Sequence, residues 1–133
     1  MEFLKKLLLN DFLDPKMPLT VYKFTTKEEV ENKVKSLNTG VVIVLGLRPC
    51  GPCDVLENFI KTWRPDLPIN LFELRAPDFT DMEDYREKFN LMRFPTVAIV
   101  DKDMTVVESK MIPGGNKDLF TDLVMKHKTL FTQ

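Results

Sequence analysis

The order of apolar and polar positions predicts a domain in which strands and helices alternate. The predicted strands are residues 19–25, 41–47, 68–74, 96–100 and 105–112. Four helices are predicted in this part of the chain. The first follows a capping box at Thr25–Glu28 or Thr26–Glu29, and the second covers residues 51–63. The third begins at a capping pair, Thr80–Glu83, and the fourth follows Gly114–Gly115. Alternating strands and helices imply parallel pairing through right-handed crossovers, whereas the short gap between the last two strands predicts an antiparallel hairpin. We therefore predict an α/β domain, a central mixed sheet with helices on both faces.

The segment "VVIVLGL" at residues 41–47 has no polar side chain. A strand of this composition is typical of the centre of a sheet that is covered on both faces. The following helix has a broad apolar face, formed by Val55, Leu56, Phe59, Ile60 and Trp63. The sequence between them therefore lies where a buried strand gives way to a helix.

Residues 1–18 are predicted to be an extension that precedes a single domain at residues 19–133. Its apolar residues recur at helical spacing and predict a short amphipathic helix over residues 2–13: Phe3, Leu4, Leu7, Leu8 and Phe12. Its longest apolar run, Leu7–Leu9, is too short for a signal peptide, and no small-residue cleavage site follows it. It is also far shorter than the roughly 20 residues that cross a bilayer. We therefore expect a cytoplasmic protein with no membrane partner.

Composition and charge narrow the function classes. The 133 residues suit one domain, and the hydrophobic fraction of 44% is sufficient for a packed core. The 19 basic and 20 acidic residues give a formal net charge of −1 and are spread along the chain. A nucleic-acid partner is therefore not predicted, because such proteins concentrate basic residues on one surface. We expect a monomer.

Both cysteines of the chain lie in one motif, Cys50-Gly51-Pro52-Cys53. The motif begins the predicted helix at 51–63, where unpaired backbone N–H groups and the positive end of the helix dipole favour a thiolate. Pro52 suits the first helical turn, which does not need its missing N–H. Cysteines in such settings titrate at about 3.5–7.5 instead of about 8.5. Arg48 would lower the pKa of Cys50 further and Asp54 would raise it.

The motif is compatible with three functions of the cysteine pair. In thiol–disulfide exchange, Cys50 attacks a substrate disulfide and Cys53, which the helix buries more deeply, resolves the mixed disulfide. A structural zinc site requires four ligands, whereas the chain offers two cysteines and one distant histidine, His127, so no metal is predicted. The third interpretation is two buried cysteines in a turn. Paired cysteines in a reducing compartment favour the first interpretation.

The chain resembles the thioredoxin family over residues 19–133. The resemblance is carried by the Cys-Gly-Pro-Cys motif, by "RFPT" at 93–96 and by the two glycines before the last helix. It implies a thioredoxin fold, Cys50 as nucleophile, Cys53 as resolving thiol and a cis-proline at Pro95 beside them. The residues expected to line a substrate groove are Pro49, Gly51, Pro52, Phe94, Thr96, Gly114 and Gly115. The resemblance also implies protein disulfides as substrates, a reductase-like protein or small thiol as electron donor, and no cofactor beyond the dithiol.

Four positions depart from the family pattern. Pro49 replaces a tryptophan, Val44 replaces a buried aspartate and Gly46 replaces an aromatic residue. Leu71 falls at the position of the lysine that partners this aspartate from the next strand. The aspartate accepts a proton from the resolving thiol in the family. Without this aspartate, the proton must go to a carboxylate from elsewhere, such as Asp54 or Glu73, or to water. We therefore expect slower or narrower exchange than is usual in the family.

These departures keep an alternative function open. In that alternative, the domain is a binding or assembly module, and the cysteine pair is a relic or a redox sensor.

Overall fold

The computed structural model describes residues 18–132, and the helix predicted over residues 2–13 lies outside this range. The strands are β1 (Leu19–Lys23), β2 (Val41–Leu47), β3 (Ile69–Ala76), β4 (Thr96–Val100) and β5 (Val106–Met111). The helices are α1 (Lys27–Leu37), α2 (Gly51–Thr62), α3 (Met82–Arg86) and α4 (Lys117–Lys126). Short 3₁₀ turns occupy Pro113–Gly115 and Lys128–Phe131. No helix within residues 18–132 is long and apolar enough to span a membrane.

The five strands form one mixed sheet in the order β1-β3-β2-β4-β5. The first three of these strands are parallel, and β4 and β5 are antiparallel to their neighbours. Val41–Gly46 of β2 are buried, which confirms the central position predicted from the apolar run. The carboxyl ends of β2 and β3 therefore meet the start of β4 at one edge of the sheet.

Separate cores cover the two faces of the sheet, as predicted. On one face, α2 and α4 contribute Leu56, Ile60, Phe120, Leu123 and Val124. On the other face, α1 and α3 contribute Val30, Val34, Met82 and Tyr85. The apolar side of α2 thus faces β2 and β3, and this packing fixes the start of α2 against the carboxyl end of β2.

The capping predictions have different outcomes. Thr26 and Glu29 form the predicted capping box of α1. The predicted cap at Thr80 is wrong, because Asp81 is the N-cap residue of α3. The Thr80 hydroxyl instead donates to the carbonyl of Thr25 at 3.1 Å, and the Asp81 carboxylate accepts from the backbone N–H of Lys27 at 2.8 Å. Both side chains are thus used to hold the start of α1.

Candidate active site

Cys50 is the N-cap residue of α2. Its backbone is extended, with φ −165° and ψ 110°, and its Sγ accepts a hydrogen bond from the backbone N–H of Cys53 at 3.1 Å. The Cys50 carbonyl accepts the first helical hydrogen bond, from Asp54 N–H at 3.0 Å. The sulfur therefore occupies the place where side-chain oxygens usually satisfy the free donors of a helix, and a negative charge there is stabilised.

Cys50 and Cys53 form a disulfide bond, with their Cα atoms 5.2 Å apart. Cys50 is partly exposed, whereas Cys53 is only 4% exposed. The difference arises because α2 turns the Cys53 side chain toward the sheet. An incoming reagent therefore meets Cys50 first.

The residues expected to line a groove lie on three segments, at the start of α2, at the start of β4 and just before α4. Pro49, Gly51 and Pro52 are exposed at the start of α2. Phe94 is half-buried and lines a groove of about 460 Å³ with Leu47, at the carboxyl end of β2.

Pro95 and Thr96 are buried beside this groove. The Phe94–Pro95 peptide bond is cis. The Pro95 carbonyl accepts from Ile112 N–H at 2.9 Å, and the Thr96 hydroxyl donates to the carbonyl of Arg93 at 2.6 Å. These bonds tie the loop that carries Pro95 to β5 and to itself.

The two glycines before α4 have different surroundings. Both are left-handed, with φ 66° at Gly114 and φ 67° at Gly115. Gly114 is exposed, and a Cβ there would meet nothing within 4 Å. Gly115 is buried, and a Cβ there would clash with the carbonyl oxygen of Pro52 and lie 3.0 Å from Leu56 N. Gly115 is thus packed against the turn that carries the cysteines.

The two charges that flank the motif are paired with other residues. Arg48 Nε lies 3.5 Å from Asp78 Oδ2, and both side chains are largely exposed. Asp54 Oδ1 lies 2.9 Å from Arg75 Nη1. These ion pairs weaken the opposing effects that Arg48 and Asp54 have on the Cys50 thiolate. The free N–H groups and the dipole at the start of α2 still favour the thiolate.

Charged residues of α2, β1 and β3 form a group that we call the ionic cluster: Lys23, Asp54, Glu57, Glu73 and Arg75. The Arg75 side chain is 5% exposed, and Nη1 lies 2.6 Å from Glu57 Oε1 while Nε donates to the carbonyl of Leu47 at 2.9 Å. Glu73 is 6% exposed and lies 3.4 Å from Lys23 Nζ. Burial, and then the charge of Glu57, raise the pKa of Glu73, although Lys23 opposes the shift.

Strand register corrects one assignment made from the sequence. Val44 of β2 pairs with Glu73 of β3, and Leu71 pairs with Val42. Leu71 is a fully buried core residue. The position on β3 beside Val44 is therefore Glu73, and the placement at Leu71 was wrong by two residues.

Arg75 and Glu57 were not identified from the sequence as site residues. One signal was present, since "ELR" places two charges with alternate spacing at the end of an otherwise apolar strand. Buried charges of this kind require partners.

His127, which offered the only further zinc ligand, lies 2.7 Å from Glu108 Oε1 instead. No group of three or more His, Cys, Asp or Glu residues suited to a metal ion is found in the part of the chain described.

No protein-family model matches the sequence, and no curated protein matches it. Solved structures do match. A thioredoxin from Nicotiana alata aligns with a TM-score of 0.60 at 20% identity, covering 86% of this chain and 97% of its own. Thioredoxin f from spinach chloroplast has a TM-score of 0.64 at 16% identity, covering 87% and 99%.

A mutant thioredoxin from Halobacterium salinarum has a TM-score of 0.66 at 18% identity, covering 86% of this chain and 96% of its own. These similarities span nearly the whole of each solved chain. The chain has the thioredoxin fold.

Proposed function

We propose that this protein reduces protein disulfides by thiol–disulfide exchange through Cys50 and Cys53. The observation that carries the proposal is the placement of the pair, with an accessible sulfur at the N-cap of α2 and a buried sulfur one turn later. The first position favours the thiolate that attacks a disulfide. The second position keeps a resolving thiol close but protected.

The reaction has two exchange steps. The Cys50 thiolate attacks one sulfur of the substrate disulfide, a Cys50–substrate bond forms, and the other substrate sulfur leaves as a thiolate that takes up a proton. Cys53 then loses its proton and attacks Cys50 Sγ. The Cys50–Cys53 bond forms and the second substrate thiolate leaves. Two electrons pass from the dithiol to the substrate.

The exposed groups around Cys50 support a protein as substrate. Pro49, Gly51 and Pro52 offer backbone and little side-chain bulk at the start of α2. The groove lined by Phe94 and Leu47 adds apolar surface for residues near the substrate disulfide. We also propose a cytoplasmic location and a reductase-like protein or small thiol as the donor that restores the dithiol.

Trapping separates this function from a pure binding module. In Cys53→Ser, the first step proceeds but the second cannot. A mixed disulfide between Cys50 and insulin, with one insulin disulfide opened by the attack, should therefore accumulate on non-reducing gels. Cys50→Ser is the matched control, since it retains one thiol that is 4% exposed, and it should trap nothing. If Cys53→Ser binds substrate proteins without forming any covalent adduct, the proposal fails and the binding module replaces it.

The reduction potential defines the direction of electron flow. The oxidised protein is equilibrated in graded dithiol buffers, and the fraction reduced is read from the mass gained on alkylation. A reduction potential of about −270 mV supports a reductant, whereas a potential of about −180 to −120 mV is typical of an isomerase or oxidant. A value in the second range would contradict the reductase while retaining the exchange chemistry.

A further inference from the structure

Gly46 leaves a space between the buried cysteine and the ionic cluster. A Cβ at this position would lie 3.1 Å from Cys53 Sγ and 3.5 Å from Arg75 Cγ. Cys53 Sγ and Arg75 Cγ therefore both border one small gap at Gly46. A larger residue at position 46 would separate them.

The Arg75 guanidinium is held close to this gap. It donates to the Leu47 carbonyl, next in the chain to Gly46, and to the carboxylates of Asp54 and Glu57 on α2. Glu57 follows Cys53 by one helical turn, so the two side chains share a face of α2. Arg75 is thus fixed by groups on both elements that surround Cys53.

The ionic cluster also contains the carboxyl group of Glu73, whose side chain is only 6% exposed. Glu73 and Glu57 share Lys23, whose Nζ lies 3.4 Å and 3.8 Å from them. Lys23, Glu73 and Arg75 line a cleft of about 160 Å³, which has room for several water molecules. Protons can therefore exchange between this carboxyl group and solvent.

We propose that Arg75 is a positioning residue that lowers the pKa of the Cys53 thiol across the gap at Gly46, and that protonation of Glu73 strengthens this effect. The proposal deepens the proposed function, in which Cys53 must lose a proton before it attacks Cys50. It assigns to β3 the electrostatic role that no side chain of β2 can have, because position 44 is valine. Arg75 acts through Cys53 and touches no substrate.

The sign follows from the charges around Cys53. The cluster has two cations and, when fully ionised, three carboxylates, so it carries one net negative charge that opposes a thiolate. When Glu73 is protonated, the cluster is neutral and Arg75 is less compensated. Further charges at this end are the surface pair Arg48 and Asp78 and the exposed Arg93, which precedes the loop that carries Pro95. Neither β4 nor the turn at 113–115 has a charged residue.

The test measures the Cys53 thiolate directly. In a Cys50→Ser background, the ultraviolet absorbance of the thiolate is followed against pH, with iodoacetamide alkylation as a second readout. Adding Arg75→Met, which keeps an unbranched side chain but removes the charged guanidinium, should lower the thiolate fraction roughly tenfold at a pH below the thiol pKa. Adding Glu73→Gln should raise the fraction at pH values where Glu73 is otherwise ionised.

Two further variants make the outcome decisive. Arg64→Met removes an exposed cation at the far end of α2 and should leave the curve unchanged. An equal shift in this control would show a general charge effect and overturn the proposal. If Arg75→Met does not fold, Glu73→Gln decides alone, because it preserves shape. A curve that superimposes on the parent would overturn the proposal.

This experiment requires no substrate. Its failure would leave the trapping result with Cys53→Ser intact, and failure of the trapping experiment would leave the thiolate curve interpretable. The two proposals can therefore be refuted separately.

Discussion

Gly115 provides the sharpest test of how the cysteine-bearing turn is held. Replacing Gly115 with alanine adds a methyl group that clashes with the Pro52 carbonyl oxygen and lies 3.0 Å from Leu56 N. Both contacts are with backbone atoms, which cannot move aside without shifting the first turn of α2. The variant should therefore affect stability and exchange chemistry together.

The magnitude has two parts. An L-residue in the left-handed region costs roughly 1–2 kcal/mol. Forcing extra volume into a packed site costs a further amount, typically about 1–3 kcal/mol. We expect Gly115→Ala to lower the free energy of unfolding by roughly 2–5 kcal/mol.

Gly114 is a matched control for the first part. It has nearly the same φ, 66° against 67°, but a Cβ there would meet no atom within 4 Å. Gly114→Ala should therefore lose only about 1–2 kcal/mol. Gly51→Ala, in open space at the start of α2, should be close to neutral.

The assay is guanidinium unfolding followed by the fluorescence of Trp63, the one tryptophan, which packs edge-on to Phe120 at 5.1 Å. Equal denaturant slopes would validate the comparison of midpoints. Insulin reduction should be slowed more by Gly115→Ala than by Gly114→Ala, because only a Cβ at position 115 meets the turn that carries the cysteines. Equal losses of stability for Gly114→Ala and Gly115→Ala would refute the reasoning, because left-handed strain would then account for the whole effect.

Three other predictions concern charges and caps. Because the folded state raises the pKa of Glu73, the contribution of this group to stability is greatest below the unfolded-state pKa and is lost as pH rises through the folded-state pKa. Chemical denaturation from acid to neutral pH should therefore show the free energy of unfolding of the wild type falling relative to that of Glu73→Gln. The hydrogen bond from His127, and then that from Lys126, lower the pKa of Glu108, so Glu108→Gln should cost up to about 1 kcal/mol at neutral pH, and this difference should vanish as acid titrates Glu108. Thr26→Ala removes half of the α1 capping box and should cost about 1 kcal/mol in thermal or chemical unfolding.

Local sequence signals were sufficient for most of the fold and for the cysteine pair. The unbroken apolar run at 41–47 predicted the central strand, because β-branched runs without polar side chains are typical of strands covered on both faces. The capping box at Thr26 and Glu29 fixed the start of α1, since both partners lie within one turn. Cys50 and Cys53 were placed correctly because the motif lies directly between two strongly patterned elements.

Contacts between distant elements were the part that the sequence could not supply. The pairing of Glu73 with Val44 depends on the exact register of β3 against β2, and Leu71, two residues earlier, was the residue expected there. Thr80 was assigned to its own helix, although its hydroxyl bonds to Thr25, 55 positions earlier. A capping pattern is ambiguous when two helix starts lie side by side.

Arg75 resolves a conflict that the sequence alone presents. Asp54 follows Cys53 directly and, as a free carboxylate, would disfavour a thiolate at the start of α2. In the fold, its carboxylate is 2.9 Å from the buried Arg75 guanidinium, so its negative charge is compensated close to the cysteines. Gly46 also leaves open a space within 3.5 Å of which both Cys53 Sγ and Arg75 Cγ lie. The glycine on β2, the arginine on β3 and the two acids on α2 therefore form one arrangement, in which each residue is explained by the others.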